Sequence, residues 1–293
     1  MMSLATRGCV EKLKRANENL VALYKRVHAF ADGDPYTITY DFDLDRSEII
    51  PVARNIQTPN VIEWGVILGD IVHDVRSALD QMVWALSDSF SGPAPDPIPE
   101  KGPGSVWRQV AFPIYETNPM KDVRGNTSRW KKTPPAQLAL VDPVLRARFE
   151  RAQPFGDGQD PRAARLPKLH ELWIADKHHA VPVVAFLAGV SDARAPAPGL
   201  GKSGRIFKDE HFDIVGQAVG PLKEDAPLGR IAYSGPRVPI VDVELDFVLD
   251  IALDEPPASP PRAPVTVADL MDDVIDYASV IIQSFVPELN RLP

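Results

Sequence analysis

The sequence is poor in cysteine, with Cys9 alone among 293 residues. One thiol forms neither an internal disulfide nor a multi-cysteine zinc site, so we expect folding without cross-links in a reducing compartment. The longest apolar run, Ala180 to Val190, is broken by Pro182 and Gly189 and falls short of the roughly 20 residues that span a bilayer. The N-terminus has no basic segment followed by an apolar run, the pattern of a secretory signal. These absences predict a cytoplasmic protein without a membrane partner.

Positive charge is also scarce, since 32 Lys and Arg are set against 40 Asp and Glu, a formal net charge of -8. Such a chain repels a phosphate backbone unless its basic residues gather on one face, which disfavours RNA as a partner. The segment Lys121 to Lys132 is locally basic around Trp130. Because charge runs usually face water, we interpret this segment first as a solvated loop and second as a binding patch.

The spacing of apolar residues predicts both helices and strands. Helical spacing covers Leu4 to Phe30, Ile62 to Leu86, Thr133 to Arg151, Leu166 to His179 and a C-terminal helix that begins near Thr266. Alternation of apolar and polar residues covers Tyr36 to Asp43, which pairs with Glu48 to Gln57, and then Arg205 to Phe207, Phe212 to Val219, Gly229 to Ser234 and Val241 to Leu253. Stretches rich in Pro and Gly, at Ser91 to Pro103, Ser191 to Gly204 and Asp254 to Pro264, are predicted connectors.

These elements predict an α+β fold, in which four to five helices form a layer packed with an antiparallel sheet. The sheet comes mainly from the C-terminal third of the chain. We expect residues 1–190 to be mainly helical with an N-terminal β-hairpin, and residues 205–293 to supply antiparallel strands plus the last helix. Both parts should pack into one globular unit, and a homodimer is left open.

The Ile62 to Leu86 helix has the most informative pattern. At about 100° per residue, its apolar residues fill one arc and its polar residues the other. The polar arc holds Asp70, His73, Asp74, Arg76, Ser77, Asp80 and Gln81. His73 and Asp80 lie within about 20° of each other, with Arg76 about 40° further round. Trp84 falls on the same strip, and a large indole there indicates that another segment covers this face.

The predicted cover is the Leu166 to His179 helix. Asp176 falls inside the apolar arc of this helix, and a carboxylate on a buried face needs a partner. We predict that this partner is Arg76 or His73. An ion pair that joins two core helices would explain the pattern without catalysis, since buried polar networks often specify packing alone.

Four short blocks of sequence carry a resemblance to known proteins. They are Gly69 to Gln81, Phe112-Pro113-Ile114, Gln153-Pro154-Phe155 and Asp176-Lys177-His178. They resemble a group of uncharacterised bacterial and phage proteins whose typical blocks read H-N-L-R-S-A-L-D-H and L-D-K-H-R. The arginine and histidine of those relatives are similar to the motif of HEPN (higher eukaryotes and prokaryotes nucleotide-binding) domains, helical modules that often cleave RNA without metal. The resemblance implies a HEPN-like helical core and RNA cleavage or binding, with catalysis impaired because Gln81 replaces the motif histidine.

Two enzymatic alternatives therefore stay open beside the structural interpretation. RNA self-cleavage needs a base, an acid and a cation, for which the candidates are His73, Arg76, Asp80, Asp176 and His178. A metal-dependent hydrolase would use Asp70, His73 and Asp74 with His170, Asp176 or His178 as ligands. No H-E-x-x-H motif, phosphate loop or dinucleotide fingerprint is present, so no cofactor is predicted.

Overall fold

The structure, a computed structural model, describes residues 3–43, 47–118, 130, 134–155, 161–194, 212–217, 220–221, 223–233, 244–253 and 266–292. The α-helices in these ranges are α1 (Leu4–Ala31), α2 (Val61–Ser91), α3 (Pro143–Arg151), α4 (Leu166–Asp176) and α5 (Val267–Leu289). The strands are β1 (Thr37–Asp43), β2 (Glu48–Arg54), β3 (Val183–Arg194), β4 (Phe212–Gln217), β5 (Gly220–Pro221), β6 (Gly229–Tyr233) and β7 (Glu244–Leu253). Short 3₁₀ helices cover Pro103–Gln109, Ala136–Leu138 and Pro161–Arg165. The protein is α+β, as predicted.

The chain folds as two compact units. The first, called the helical unit, comprises Met1–Ala22, Gly65–Val181 and Ala268–Pro293, and the second, called the strand unit, comprises Leu23–Trp64 and Pro182–Val267. This division differs from the one expected from the sequence. The C-terminal helix α5 belongs almost entirely to the helical unit, and the N-terminal hairpin belongs with the later strands because β2 pairs with β6.

The apolar face of α2 forms the core of the helical unit. Leu68, Ile71, Val75, Leu79 and Met82 are completely buried, which confirms the predicted apolar arc. Aromatic residues of α3 and α5 extend this core, since the rings of Phe149 and Phe285 stack with centroids 4.5 Å apart. The polar arc of α2 is therefore the surface on which a site can be built.

Three helix boundaries differ from the prediction. The helix α2 continues to Ser91, beyond the predicted end at Leu86. The predicted helix Thr133 to Arg151 begins as an α-helix only at Pro143, because the Asp142 carboxylate accepts a hydrogen bond from the Val144 N–H at 2.8 Å and caps a new helix there. Proline at the first helical position reinforces this start. The helix α4 ends at Asp176, before the predicted end at His179.

The strands of the strand unit form two antiparallel sheets. One has the order β1-β2-β6-β4 and the other β5-β3-β7. The predicted pairing of β1 with β2 is confirmed, with Thr37 opposite Arg54 and Asp43 opposite Glu48. The sequence did not predict β3, whose last residues, through Arg194, replace the start of an expected connector.

Several predicted features lie outside the described residues. They are the strand Arg205 to Phe207, the connector Asp254 to Pro264, most of the connector Ser191 to Gly204, and the basic segment Lys121 to Lys132 apart from Trp130. Trp130 itself is completely buried, and its Nε1–H donates to the Asn118 side-chain oxygen at 3.2 Å. This tryptophan is therefore a core residue of the helical unit.

Candidate functional site

A cleft of about 240 Å³ opens along the polar arc of α2. Its α2 residues are His73, Arg76, Ser77, Asp80, Gln81 and Trp84, and Val110 and Trp173 also line it. Three of the candidates predicted from the sequence, His73, Arg76 and Asp80, therefore share one cleft. Asp176 and His178 are not among its lining residues.

Arg76 and Asp80 form the floor of this cleft. Arg76 is only 5% exposed, and its Nε donates to Asp80 Oδ2 at 3.2 Å while its Nη2 lies 3.0 Å from Asp80 Oδ1. The same Nη2 donates to the Phe112 carbonyl at 2.7 Å, and Asp80 Oδ1 accepts the Phe112 N–H at 2.8 Å. We call this arrangement the Arg76–Asp80 clamp. The pair satisfies both main-chain polar groups of Phe112.

The clamp corrects the predicted ion pair. Arg76 pairs with Asp80 and not with Asp176 or His73. Residues four apart on a helix are neighbours on its surface, so Asp80 reaches the guanidinium without a contribution from another helix. The segment that contains Phe112, called the Phe112 segment, then hydrogen-bonds to this pair through the N–H and the carbonyl of Phe112.

Gln153 holds the same segment from the other side. This side chain is completely buried, its Oε1 accepts the Tyr115 N–H at 3.0 Å, and its Nε2 donates to the Pro113 carbonyl at 3.0 Å. A buried stretch of main chain outside helices and sheets must find hydrogen-bond partners on side chains. The clamp supplies them for Phe112, and Gln153 supplies them for the Pro113 carbonyl and the Tyr115 N–H.

Asp176 has a packing role against α2. A Cβ atom at Gly69 would collide with the Asp176 carboxylate, and one at Gly65 would collide with the carbonyl of Val181. These two glycines therefore let the end of α4 and the chain after it approach α2 closely. Asp176 is half-buried, on the face that the apolar arc predicted to be buried.

The four sequence blocks Gly69 to Gln81, Phe112 to Ile114, Gln153 to Phe155 and Asp176 to His178 are linked by contacts with one another. Gly69 meets Asp176, the Arg76–Asp80 clamp binds Phe112, and Gln153 binds Pro113. Each block thus supplies one half of a packing or hydrogen-bond contact within the helical unit.

Trp173 of α4 lies among three basic side chains. The Arg76 guanidinium carbon is 5.2 Å from its ring centroid, Lys177 Nζ is 3.2 Å away, and the His170 ring stacks on it at 5.8 Å with an interplanar angle of 27°. Cations are attracted to the indole face. Arg76 Nη1 and His170 Nδ1 are buried and have no hydrogen-bond partner among the described residues.

The role of His170 was not predicted from the sequence, which indicated it only as a possible metal ligand. Burial lowers the pKa of His170, and the positive charges of Arg76 and Lys177 lower it further. A neutral imidazole at neutral pH follows. The available signal was its position one turn before Trp173, on the side of α4 that also holds the apolar residues.

The remaining candidates lie elsewhere. Asp74 is 2% exposed and pairs with Arg15 at 3.1 Å and Lys12 at 3.7 Å, both from α1. Asp70 and His178 are exposed. Within the described ranges, no three His, Cys, Asp or Glu side chains gather closely enough to hold a metal ion. The predicted metal set is therefore not assembled, because Asp74 faces α1 while His73 faces the cleft.

Comparison of the chain with protein-family models, with curated proteins and with solved structures finds no match. Any functional assignment therefore depends on the cleft and its residues. In the part of the chain that the structure describes, no helix has the length and apolar character needed to cross a membrane.

Proposed function

We propose that this protein acts by binding and not by catalysis, and that the Arg76–Asp80 clamp is a structural element beneath its binding cleft. The proposal rests on two hydrogen bonds of Arg76. Its Nε donates to the Asp80 carboxylate, and its Nη2 donates to the Phe112 carbonyl. A catalytic arginine must present donors where negative charge develops in the transition state. Here those donors are already occupied by the protein itself.

The surroundings of Arg76 support the same proposal. Its third nitrogen, Nη1, is buried, and its guanidinium lies over the Trp173 ring. Removing one member of a buried, hydrogen-bonded charge pair strands the other members. We therefore infer that Arg76 joins α2, the Phe112 segment and α4, and that loss of its side chain weakens folding before it affects any activity.

The experiment uses His73 to separate folding from chemistry. His73 lines the cleft but makes no hydrogen bond or ion pair within the described residues, so His73→Ala should leave stability unchanged. We expect the purified protein to leave single-stranded RNA intact in the presence of EDTA. Metal-independent cleavage that His73→Ala abolishes, with an unchanged unfolding curve, would overturn the proposal.

A second candidate is the HEPN-like, metal-independent ribonuclease. The observation that favours it is the presence of His73 in the same cleft as Arg76, with the neutral His170 beside Trp173. Either imidazole could act as the base that Gln81 cannot supply. The net charge of -8 weighs against an RNA substrate, and the EDTA assay decides between the two candidates.

A further inference from the structure

The side chains around the opening of the cleft keep their hydrogen-bonding capacity. His73 and Gln81 are exposed and Ser77 is half-buried. None of the three bonds to another side chain or main-chain group in the described parts of the protein. Together they offer both donors and acceptors to a molecule in the cleft.

Trp84 adds an aromatic surface to these groups. It packs against Trp107 with ring centroids 4.9 Å apart and an interplanar angle of 53°, yet remains 37% exposed. The indole is thus fixed on one side and open on the other. A fixed, accessible indole is a platform on which a planar ring can stack.

The charge of the cleft argues against an anionic ligand. Arg76 is the one guanidinium that the described residues place there, and Asp80 neutralises it at 3.0 Å. Its remaining nitrogen is buried beneath the surface. Among the lining residues, an incoming phosphate or carboxylate finds no free guanidinium or ammonium group and meets the partly exposed Asp80 carboxylate. The Lys177 ammonium lies against the Trp173 ring and is not one of the lining residues.

The size of the cleft limits the ligand. Its volume is about 240 Å³, whereas pockets for drug-sized molecules occupy about 300–1,000 Å³. An engineered cavity of about 150 Å³ holds a benzene ring. The cleft therefore fits one ring or two fused rings, with any larger substituent outside in solvent.

We propose that the cleft binds an uncharged aromatic heterocycle of one or two fused rings, which stacks on Trp84 and hydrogen-bonds through its edge to Gln81, one helical turn away. The proposal deepens the binding function proposed above and rests on it. A glutamine amide pairs well with a ring edge that places an N–H donor beside an acceptor. Nucleobases have such edges, whether in a free nucleoside or in single-stranded RNA.

The test follows the indole N–H signals of the five tryptophans by NMR in the ¹⁵N-labelled full chain. Probes are adenosine, uridine, their 5′-monophosphates and a short oligouridylate. We expect the nucleosides or the oligonucleotide, at millimolar concentration, to shift the Trp84 signal, which the Trp84→Phe variant identifies. Gln81→Leu should weaken binding about tenfold, and Trp84→Leu should weaken it at least as much. Phe90→Leu, at an aromatic residue on α2 that is 53% exposed and not among the lining residues, is the matched control.

The outcomes are distinct. The proposal is supported, and an RNA base is identified as the source, if the oligonucleotide binds more tightly than the nucleosides. Its binding must then depend on Trp84 and Gln81 as much as nucleoside binding does. An unmoved Trp84 signal with every probe overturns the proposal. So does a monophosphate that binds tenfold tighter than its nucleoside, or an equal loss of binding in Phe90→Leu. The structural role of the Arg76–Asp80 clamp is tested separately, by the free energy of unfolding of Arg76 variants, which these titrations do not measure.

Discussion

Replacing Arg76 with alanine should destabilise the helical unit by about 3 kcal/mol, as judged from the bonds that it removes. The variant loses two contacts to Asp80 and one to the Phe112 carbonyl. Hydrogen bonds to charged groups contribute about 1.5–3 kcal/mol each, and breaking a buried ion pair costs about 3–5 kcal/mol. The Asp80 side chain is 29% exposed, so water can solvate part of the stranded carboxylate, which favours the lower end of that range.

Urea denaturation followed by circular dichroism and tryptophan fluorescence measures this loss. For a unit of this size, about 3 kcal/mol corresponds to a fall in Tm of roughly 6–12 °C. A double-mutant cycle with Asp80→Ala adds a second criterion. If the clamp is one network, the double variant should lose little more than either single variant, with a coupling free energy of about 1–3 kcal/mol.

The control is Arg26→Ala. Arg26 also uses its Nε to bind a carboxylate, that of Glu63 at 2.9 Å, but these side chains are 47% and 45% exposed. Surface pairs of this kind contribute at most about 1 kcal/mol. A loss in Arg76→Ala no larger than in Arg26→Ala, or a cycle that is simply additive, would refute the structural role of the clamp.

Three further predictions follow from the close contacts and buried groups. Gly65→Ala should lower the free energy of unfolding more than Gly69→Ala, because its neighbour is a main-chain carbonyl whereas Gly69 faces a side-chain carboxylate that can rotate; urea denaturation compares them, and the reverse order would contradict the packing. The lowered pKa of His170 means that the unfolded chain binds the proton more readily, so stability should be full above the ordinary value near 6.5 and fall as pH drops from there toward the folded pKa; His170→Gln should flatten this dependence, and an unchanged slope would argue against it. Burial raises the pKa of the Cys9 thiol to about 11, so a thiol reagent at neutral pH should modify Cys9 only after unfolding, and rapid labelling of the native protein would contradict this.

The helices were predictable where one apolar face repeats along many turns. The arc from Leu68 to Met82 follows from residue spacing within α2 and needs no knowledge of the rest of the fold. The strand β3 was not predictable in this way, because a continuous apolar run such as Ala180 to Val190 has no alternation to distinguish strand from helix. Its pairing with β7, in which Val183 lies opposite Leu253 and Arg194 opposite Glu244, makes this run a strand.

The same distinction between local spacing and long-range contacts applies to the candidate site. His73, Arg76 and Asp80 share a strip because helix geometry alone places them there. The partners of Arg76 were predicted wrongly because one of its three contacts goes to the Phe112 carbonyl, and Asp80 in turn binds the Phe112 N–H. A peptide group is present at every position of a sequence, so the pattern does not single out Phe112. Asp176 was misjudged for a related reason, since its place beside Gly69 depends on a residue that contributes no side chain.

The division of the chain has a consequence for biosynthesis. The path alternates between the two units and crosses after Ala22, Trp64, Val181 and Val267, so no single cut separates them. Asn290 accepts hydrogen bonds from the Ser3 N–H at 3.1 Å and the Thr6 hydroxyl at 3.0 Å, which joins the last helix to the first. The N-terminal segment is synthesised first, at a ribosomal rate of about 5–20 residues per second, but must wait for α5. During those seconds Ser3 and Thr6 lack their Asn290 partner, so the two ends of the helical unit join only after α5 has been synthesised.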